Sequence, residues 1–431
     1  MTRTPAPLTI SLECCLPRIT TEPGRDWHVL PQAAGQGDGR SWEHALGASA
    51  LQRLRNLKLQ PGDRVLIGSG EYRDADLEVT ASGSREAPIR IEGVDRGGGV
   101  PRLISGWRIE QPEAGGSAVD LAAGVSHVVL SRLRIESYQF AVMARAVRSG
   151  APRSHLRLED LEMRSVRHGL YLSDCDDLEV VQCNVWRYSK HGFRLNEGCD
   201  RVVFRGCTAD CSEGDARWED QTELFPFGYL VNNAGAPNTD IRFEECLAAN
   251  NRMPRQRGSY KNGDGFVVEE NTRNVEFVKC RALRNQDGGF DLKPPVRLTG
   301  CIAIGNSRNF RLWTTAELTN CFSGWAPTGL WCNGGPVRLQ QCTLFALRDE
   351  AVETDDAAKS VVTLTRCLVA ATRRVELNQA RGRVEIAADT LVDPSPDGRD
   401  CRFIQPRPDW DGLGDAMNSR RYPDLGYRHD R

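Results

Sequence analysis

The stretch from Asn262 to Trp313 repeats one phrase: a Gly or Asn, an apolar residue, a variable residue and a second apolar residue. The copies are Gly265-Phe266-Val267-Val268, Gly289-Phe290-Asp291-Leu292 and Asn309-Phe310-Arg311-Leu312. Alternate side chains of a strand face opposite ways. Phe266, Phe290 and Phe310 therefore share one side, and Val267, Asp291 and Arg311 the other. A short phrase that returns about every 20 residues cannot bury its apolar face alone and must stack on its neighbours. Stacked copies lie roughly 4.8 Å apart, which sets Asp291 beside Arg311, with Asp264 and Asp287 at the preceding corners. These acidic and basic groups form the candidate site.

The same rhythm runs from about residue 125 to 393, two short alternating strands, a polar turn and a third strand in each repeat. The fold class expected is all-β, a right-handed parallel β-helix of about ten or more coils. Cys183, Cys207, Cys246, Cys280, Cys301, Cys321, Cys342 and Cys367 recur once per repeat, as a column of buried thiols would. Asn251, Asn285 and Asn306 each follow such a Cys by five residues and predict a ladder of amide hydrogen bonds. Residues 26–124 read as an N-terminal cap and first coils, with an amphipathic helix over 42–58, capped by Ser41, covering the open end of the stack. Residues 1–25 are expected to be flexible and 394–431 to form a tail or cap. Two insertions, 212–228 and 251–262, rise over the candidate site and predict walls carrying Trp218, Phe225, Phe227, Arg255, Arg257, Tyr260 and Lys261.

Charge narrows the function. With 56 basic and 58 acidic residues the net charge is −2, which argues against nucleic acid or an anionic membrane as partner. No apolar run reaches the length of a membrane span. The 15 Cys show no zinc-like pairing, and the start has no continuous apolar core. Reduced thiols and a cytoplasmic monomer are expected, or a secreted or periplasmic protein if the true start lies elsewhere.

Asp264, Asp287 and Asp291 offer three carboxylates on two neighbouring coils, a set that suits Ca²⁺. Each alone reads as a turn or surface residue rather than a ligand. Beside Arg311 the three together read as a site. Arg308, Lys261, Tyr260 and Trp331 are candidate substrate-binding residues, Trp331 because it continues the outward column and could stack on a sugar. His168 and His191 occupy matching positions of adjacent coils and read as turn residues. Glu353 and Glu376 lie further along and read as solvated.

The segments NGDGF, NQDGGFDL and NFRLW resemble the core of the family-nine polysaccharide lyases, calcium-dependent pectate lyases built on a parallel β-helix. The resemblance covers about 50 residues closely. It implies calcium ligation by Asp264, Asp287 and Asp291, and β-elimination on an acidic polysaccharide or oligosaccharide such as pectate. Two positions depart from the family pattern: Gly288 stands where a further Asp ligand is expected, and Arg311 where the basic Lys is expected. Arg311 is then either the base or a clamp for a substrate carboxylate, with Lys293 as an alternative base. A non-catalytic carbohydrate-binding β-helix, a glycoside hydrolase and a uronate epimerase are the competing readings; two of the carboxylates could serve a hydrolase.

Overall fold

In the computed structural model the described residues are 24–148, 150–212, 226–232, 234–253, 262–355, 360–370, 372, 376–378, 382–393 and 425–428. Among them the chain winds as a parallel β-helix. One coil shows the pattern: Thr272–Val278, Arg281–Leu283 and Gly288–Leu292 are three strands, each on a different ladder. They pair in parallel with Val296–Thr299, Ile302–Ile304 and Arg308–Leu312 of the next coil. A twelve-stranded sheet carries the candidate site. Its strands are β1 (Leu77–Val79), β2 (Ser117–Leu121), β3 (Phe140–Ala144), β4 (His168–Ser173), β5 (His191–Glu197), β6 (Phe227–Val231), β7 (Phe266–Val268), β8 (Gly288–Leu292), β9 (Arg308–Leu312), β10 (Thr328–Cys332), β11 (Glu350–Thr354) and β12 (Glu376–Asn378).

The corner before each column Cys is made by a residue in the left-handed region, such as Gln182, Gly206, Glu245, Lys279, Gly300 or Asn320, with φ between 52° and 66°. One such residue turns the chain sharply between two strands. The Cys that follows is buried and donates its thiol to backbone carbonyls, as Cys301 does to Phe277 at 3.6 Å. Burial holds the Cys301, Cys321 and Cys342 thiols well above their ordinary pKa, so they are protonated and inert. All twelve cysteines among the described residues are free.

Inside the barrel Phe193, Tyr229, Phe266, Phe290 and Phe310 stack with ring centroids 4.6–5.2 Å apart. Phe204, Phe243 and Phe277 form a second stack whose rings meet the first edge-on. The repeated phrase is thus the inner stack read along the chain, and its aromatic register fixes what lies opposite what on the outer face.

The asparagine ladder forms as expected. Asn251 Nδ2 donates to Asn285 Oδ1 at 2.8 Å, Asn285 to Asn306 at 2.9 Å, and Asn306 to Asn309 at 2.9 Å. Asn309 then donates to Ser323 Oγ at 3.0 Å. This explains the Gly-or-Asn choice that opens the phrase. A Cβ on Gly289 would lie 2.6 Å from Asn306 Nδ2, so the position either leaves room for the ladder or, as Asn309, joins it. Replacing Asn285 by Ala strands buried amide and backbone groups on both sides. We expect a loss of about 1–3 kcal/mol for each group left unpaired, read from urea unfolding; a loss below that of a surface substitution would show the ladder to be dispensable.

The N-terminal cap differs from expectation. The amphipathic helix over 42–58 is instead two 3₁₀ segments, Trp42–His44 and Ala48–Leu57, the second kinked at Arg53, and Ser41 makes no capping bond. Leu51, Leu54 and Leu57 recur every third residue, the 3₁₀ period, so the tighter helix aligns them on one face. Leu51 and Leu54 are buried in the main core. Near the other terminus Tyr427 is buried beside Phe322 and donates its backbone N–H to Thr343 Oγ1 at 2.8 Å.

Candidate active site

Register across β3–β11 sorts the outer face into columns. One runs Met143, Tyr171, Arg194, Leu230, Val267, Asp291, Arg311, Trp331 and Glu353. Another passes through Gly288, Arg308, Thr328 and Glu350. They meet in a groove of about 940 Å³ whose lining includes Asp264, Asp287, Asp291, Lys293, Arg308 and Arg311. The predicted neighbours Asp291 and Arg311 are directly paired across β8 and β9.

Arg311 Nη1 lies 3.4 Å from Asp287 Oδ2 and 3.4 Å from Asp291 Oδ2, so one guanidinium nitrogen bridges both acids. Its Cζ also sits 4.8 Å from the Trp313 ring centroid. Trp313 Nε1 donates to Asp291 Oδ1 at 2.6 Å. The Asp264 Oδ1 accepts from the Gly288 N–H at 2.5 Å. Asp287 Oδ1 is buried without a hydrogen-bond partner. Burial, with the charges of Asp291 and Asp287, raises Asp264 well above the ordinary carboxylate pKa. Burial raises Asp291 too, while Arg311, Trp313 and Lys293 pull it back. The arrangement therefore separates a carboxyl inclined to keep its proton from a pair of acids neutralised by a cation.

The arrangement does not match a resident calcium ion. Arg311 takes the position between Asp287 and Asp291, and Trp313 holds the inner oxygen of Asp291. Position 288 has no side chain; a Cβ there would lie 2.9 Å from Asp264 Oδ1 and 3.3 Å from Asp291 Cβ, in the gap where a further ligand would enter. Among the described residues no three His, Cys, Asp or Glu side chains group as a metal site.

Two other expectations change. Lys293 Nζ contacts both oxygens of Glu269 at 2.6 Å; a salt-bridged ammonium is a poor base. Trp331 is only 4% exposed, packed edge-on against Trp313 with centroids 4.9 Å apart, and offers no open face to a sugar. Arg308 lines the groove as expected, its Cζ 5.6 Å from the Trp331 ring centroid. Phe227 also lines it, whereas Tyr260, Lys261, Trp218, Phe225, Arg255 and Arg257 lie outside the described residues, as does the Glu376 side chain. His168 and His191 are buried with Nδ1 atoms 2.8 Å apart, and burial drives both well below the usual imidazole pKa, a packed neutral pair.

Glu269, Trp313, Glu350 and Glu353 were not foreseen as site residues, though all four line the groove. Glu269, Lys293 and Trp313 each follow the phrase's Phe by three residues, so extending the phrase reveals that column. Glu350 is buried and accepts from Thr328 Oγ1 at 3.0 Å. Glu353 is raised by burial and by Glu350 against the pull of Arg308, and is not the solvated residue expected.

The fold and groove define a parallel β-helix with an acid–guanidinium cleft on its twelve-stranded face. Comparison with known proteins agrees on the fold. Pectate lyase Pel9A superimposes with a TM-score of 0.52 at 12% identity, covering 95% of this chain and 89% of that one. The catalytic unit of a GH87 α-1,3-glucanase from Streptomyces thermodiastaticus gives 0.50 at 13% identity, covering 84% and 67%. In sequence, a polygalacturonase of Penicillium digitatum is 25% identical over 183 residues, 39% of this chain and 48% of that protein, so the match spans about half of the relative. No family model matches.

Proposed function

We propose that this protein cleaves a uronic-acid polysaccharide by acid–base catalysis in the groove, with β-elimination as the reaction. The observation that carries the reading is the Asp264–Asp287–Asp291 group bridged by Arg311. Arg311 sits between two carboxylates, and a guanidinium has no lone pair free to accept a proton, which suits a clamp and opposes a base. Held there with Arg308 nearby, it binds the C6 carboxylate of the sugar and carries the positive charge that the sequence resemblance assigns to calcium. That charge stabilises the negative charge developing as the C5 proton leaves. Asp287, whose Oδ1 has no hydrogen-bond partner and lies 3.9 Å from Arg308 Nη1, takes the proton. Asp264, with its raised pKa, returns one to the departing O4.

Hydrolysis is the second reading. Both oxygens that Arg311 bridges lie 3.4 Å from one nitrogen. They are therefore no more than about 7 Å apart, an upper bound compatible with the roughly 5–5.5 Å separation of a retaining pair. A polygalacturonase is among the sequence relatives. In this version Asp287 and Asp291 are the pair, Asp287 as the nucleophile and Asp291, whose pKa burial raises, as the acid.

Incubation with polygalacturonate and with alginate, each with calcium and with chelator, tests both. The expected result is a chelator-resistant rise in ultraviolet absorbance from unsaturated uronide. New reducing ends without absorbance would identify a hydrolase. Binding without either product would leave a carbohydrate-binding β-helix, and no interaction with any polyuronate would end the reading.

A further inference from the structure

We propose that Arg194, three strands from Asp291 on the same outward column, anchors a second carboxylate-binding subsite for the acidic polysaccharide; this rests on the polyuronate reading above. The column passes from Arg194 on β5 through Leu230 on β6 and Val267 on β7 to Asp291 on β8. Three strand spacings amount to roughly 14 Å, a span that several sugar rings fill.

Among the described residues Arg194 is a cation without an anion. Its Nε and Nη2 donate to Asn196 Oδ1 at 3.1 and 2.7 Å, and its Cζ lies 4.8 Å from the Tyr171 ring centroid. Among the described residues it enters no ion pair, whereas Arg201 pairs with Asp177 at 2.7 Å and Arg134 with Glu162 at 2.7 Å on other parts of the surface. Burial lowers its pKa, the reverse of what a carboxylate partner would do. A partly desolvated guanidinium of this kind gains most from an arriving carboxylate, through charge-assisted, bidentate hydrogen bonds.

The guanidinium is also held in place. Asn196 Oδ1 accepts from Tyr171 Oη at 3.1 Å and Asn232 Nδ2 at 3.2 Å as well as from Arg194, so the fork is oriented before any ligand arrives. The floor between the two ends is apolar, with Leu230 and Val267 both buried. Phe227, which lines the catalytic groove, stacks on His191 of the Arg194 strand with centroids 5.9 Å apart. The outward column thus links Arg311 to Arg194 strand by strand.

The test compares Arg194→Ala and Arg194→Gln with the wild type on long polygalacturonate and on the shortest oligomer that the wild type cleaves. We expect KM on the polymer to rise about 10–100-fold, the weight of a lost charged hydrogen-bonded contact. On the polymer kcat should be unchanged, and on the short oligomer both constants should match the wild type, which also shows that the variants fold. Unchanged KM on the polymer would overturn the subsite while leaving the catalytic reading intact. A wild type that neither binds nor cleaves any polyuronate would remove both.

Discussion

Replacing Asp264 by Asn is expected to lower kcat/KM on the cleaved polyuronate about 10²–10⁴-fold, the usual contribution of a positioned acid. The same substitution should stabilise the protein above neutral pH. Burial and the neighbouring Asp291 and Asp287 raise the folded-state pKa of Asp264 above its unfolded value. The protonated carboxyl therefore contributes fully below the unfolded pKa, about 3.9, and its contribution is lost as pH rises through the raised folded value. Asn is neutral throughout and can still accept the Gly288 N–H. The stability of Asp264→Asn relative to wild type should therefore grow between pH 4 and 8 in urea melts. A variant that is both active and unchanged in its pH dependence would show Asp264 to be an ordinary turn residue.

Arg311→Ala should abolish cleavage and also expose what the arginine neutralises. Asp287 and Asp291 have side chains only 10% and 8% exposed, and removing the partner of buried acids costs about 3–5 kcal/mol. Millimolar calcium should recover part of that loss in the variant, measured as a rise in melting temperature that chelator reverses. The wild type, whose acids already have a counter-charge, should not respond. Adding Gly288→Asp should strengthen the effect. The backbone there lies outside the left-handed region, and the Asp264 oxygen that a new Cβ would crowd is the end of a movable side chain. A wild type that melts later with calcium would mean that the guanidinium does not fill the cation's place.

The coil architecture was readable because a strand's period of two and a repeat near 20 residues leave little freedom. Once Phe266, Phe290 and Phe310 face inward, Asp291 must neighbour Arg311. The cysteine and asparagine columns followed from the same spacing. What escaped were side-chain partnerships between columns. Lys293 looked available until Glu269, one coil back, took its ammonium. Trp331 looked like a platform until Trp313, beyond the end of the phrase, covered it. The cap's helix type was misread because Leu51, Leu54 and Leu57 suit either helical period until packing selects the tighter one. Calcium was expected from three clustered carboxylates and from the family resemblance, and neither reveals that Arg311 lies between two of the three.

The ladder of coils also gives the cleft a unit of length. Arg194 and Arg311 are separated by whole strand spacings, each about 4.8 Å, so their separation changes only in steps. A natural or engineered gain or loss of one coil between β5 and β8 would move the remote cation by one step and leave the geometry around Asp291 untouched. Chain-length preference would then shift in discrete jumps, like the settings of a ratchet, with the chemistry held constant. Because each coil touches only its neighbours, such an indel is also the change that the rest of the barrel is best built to absorb.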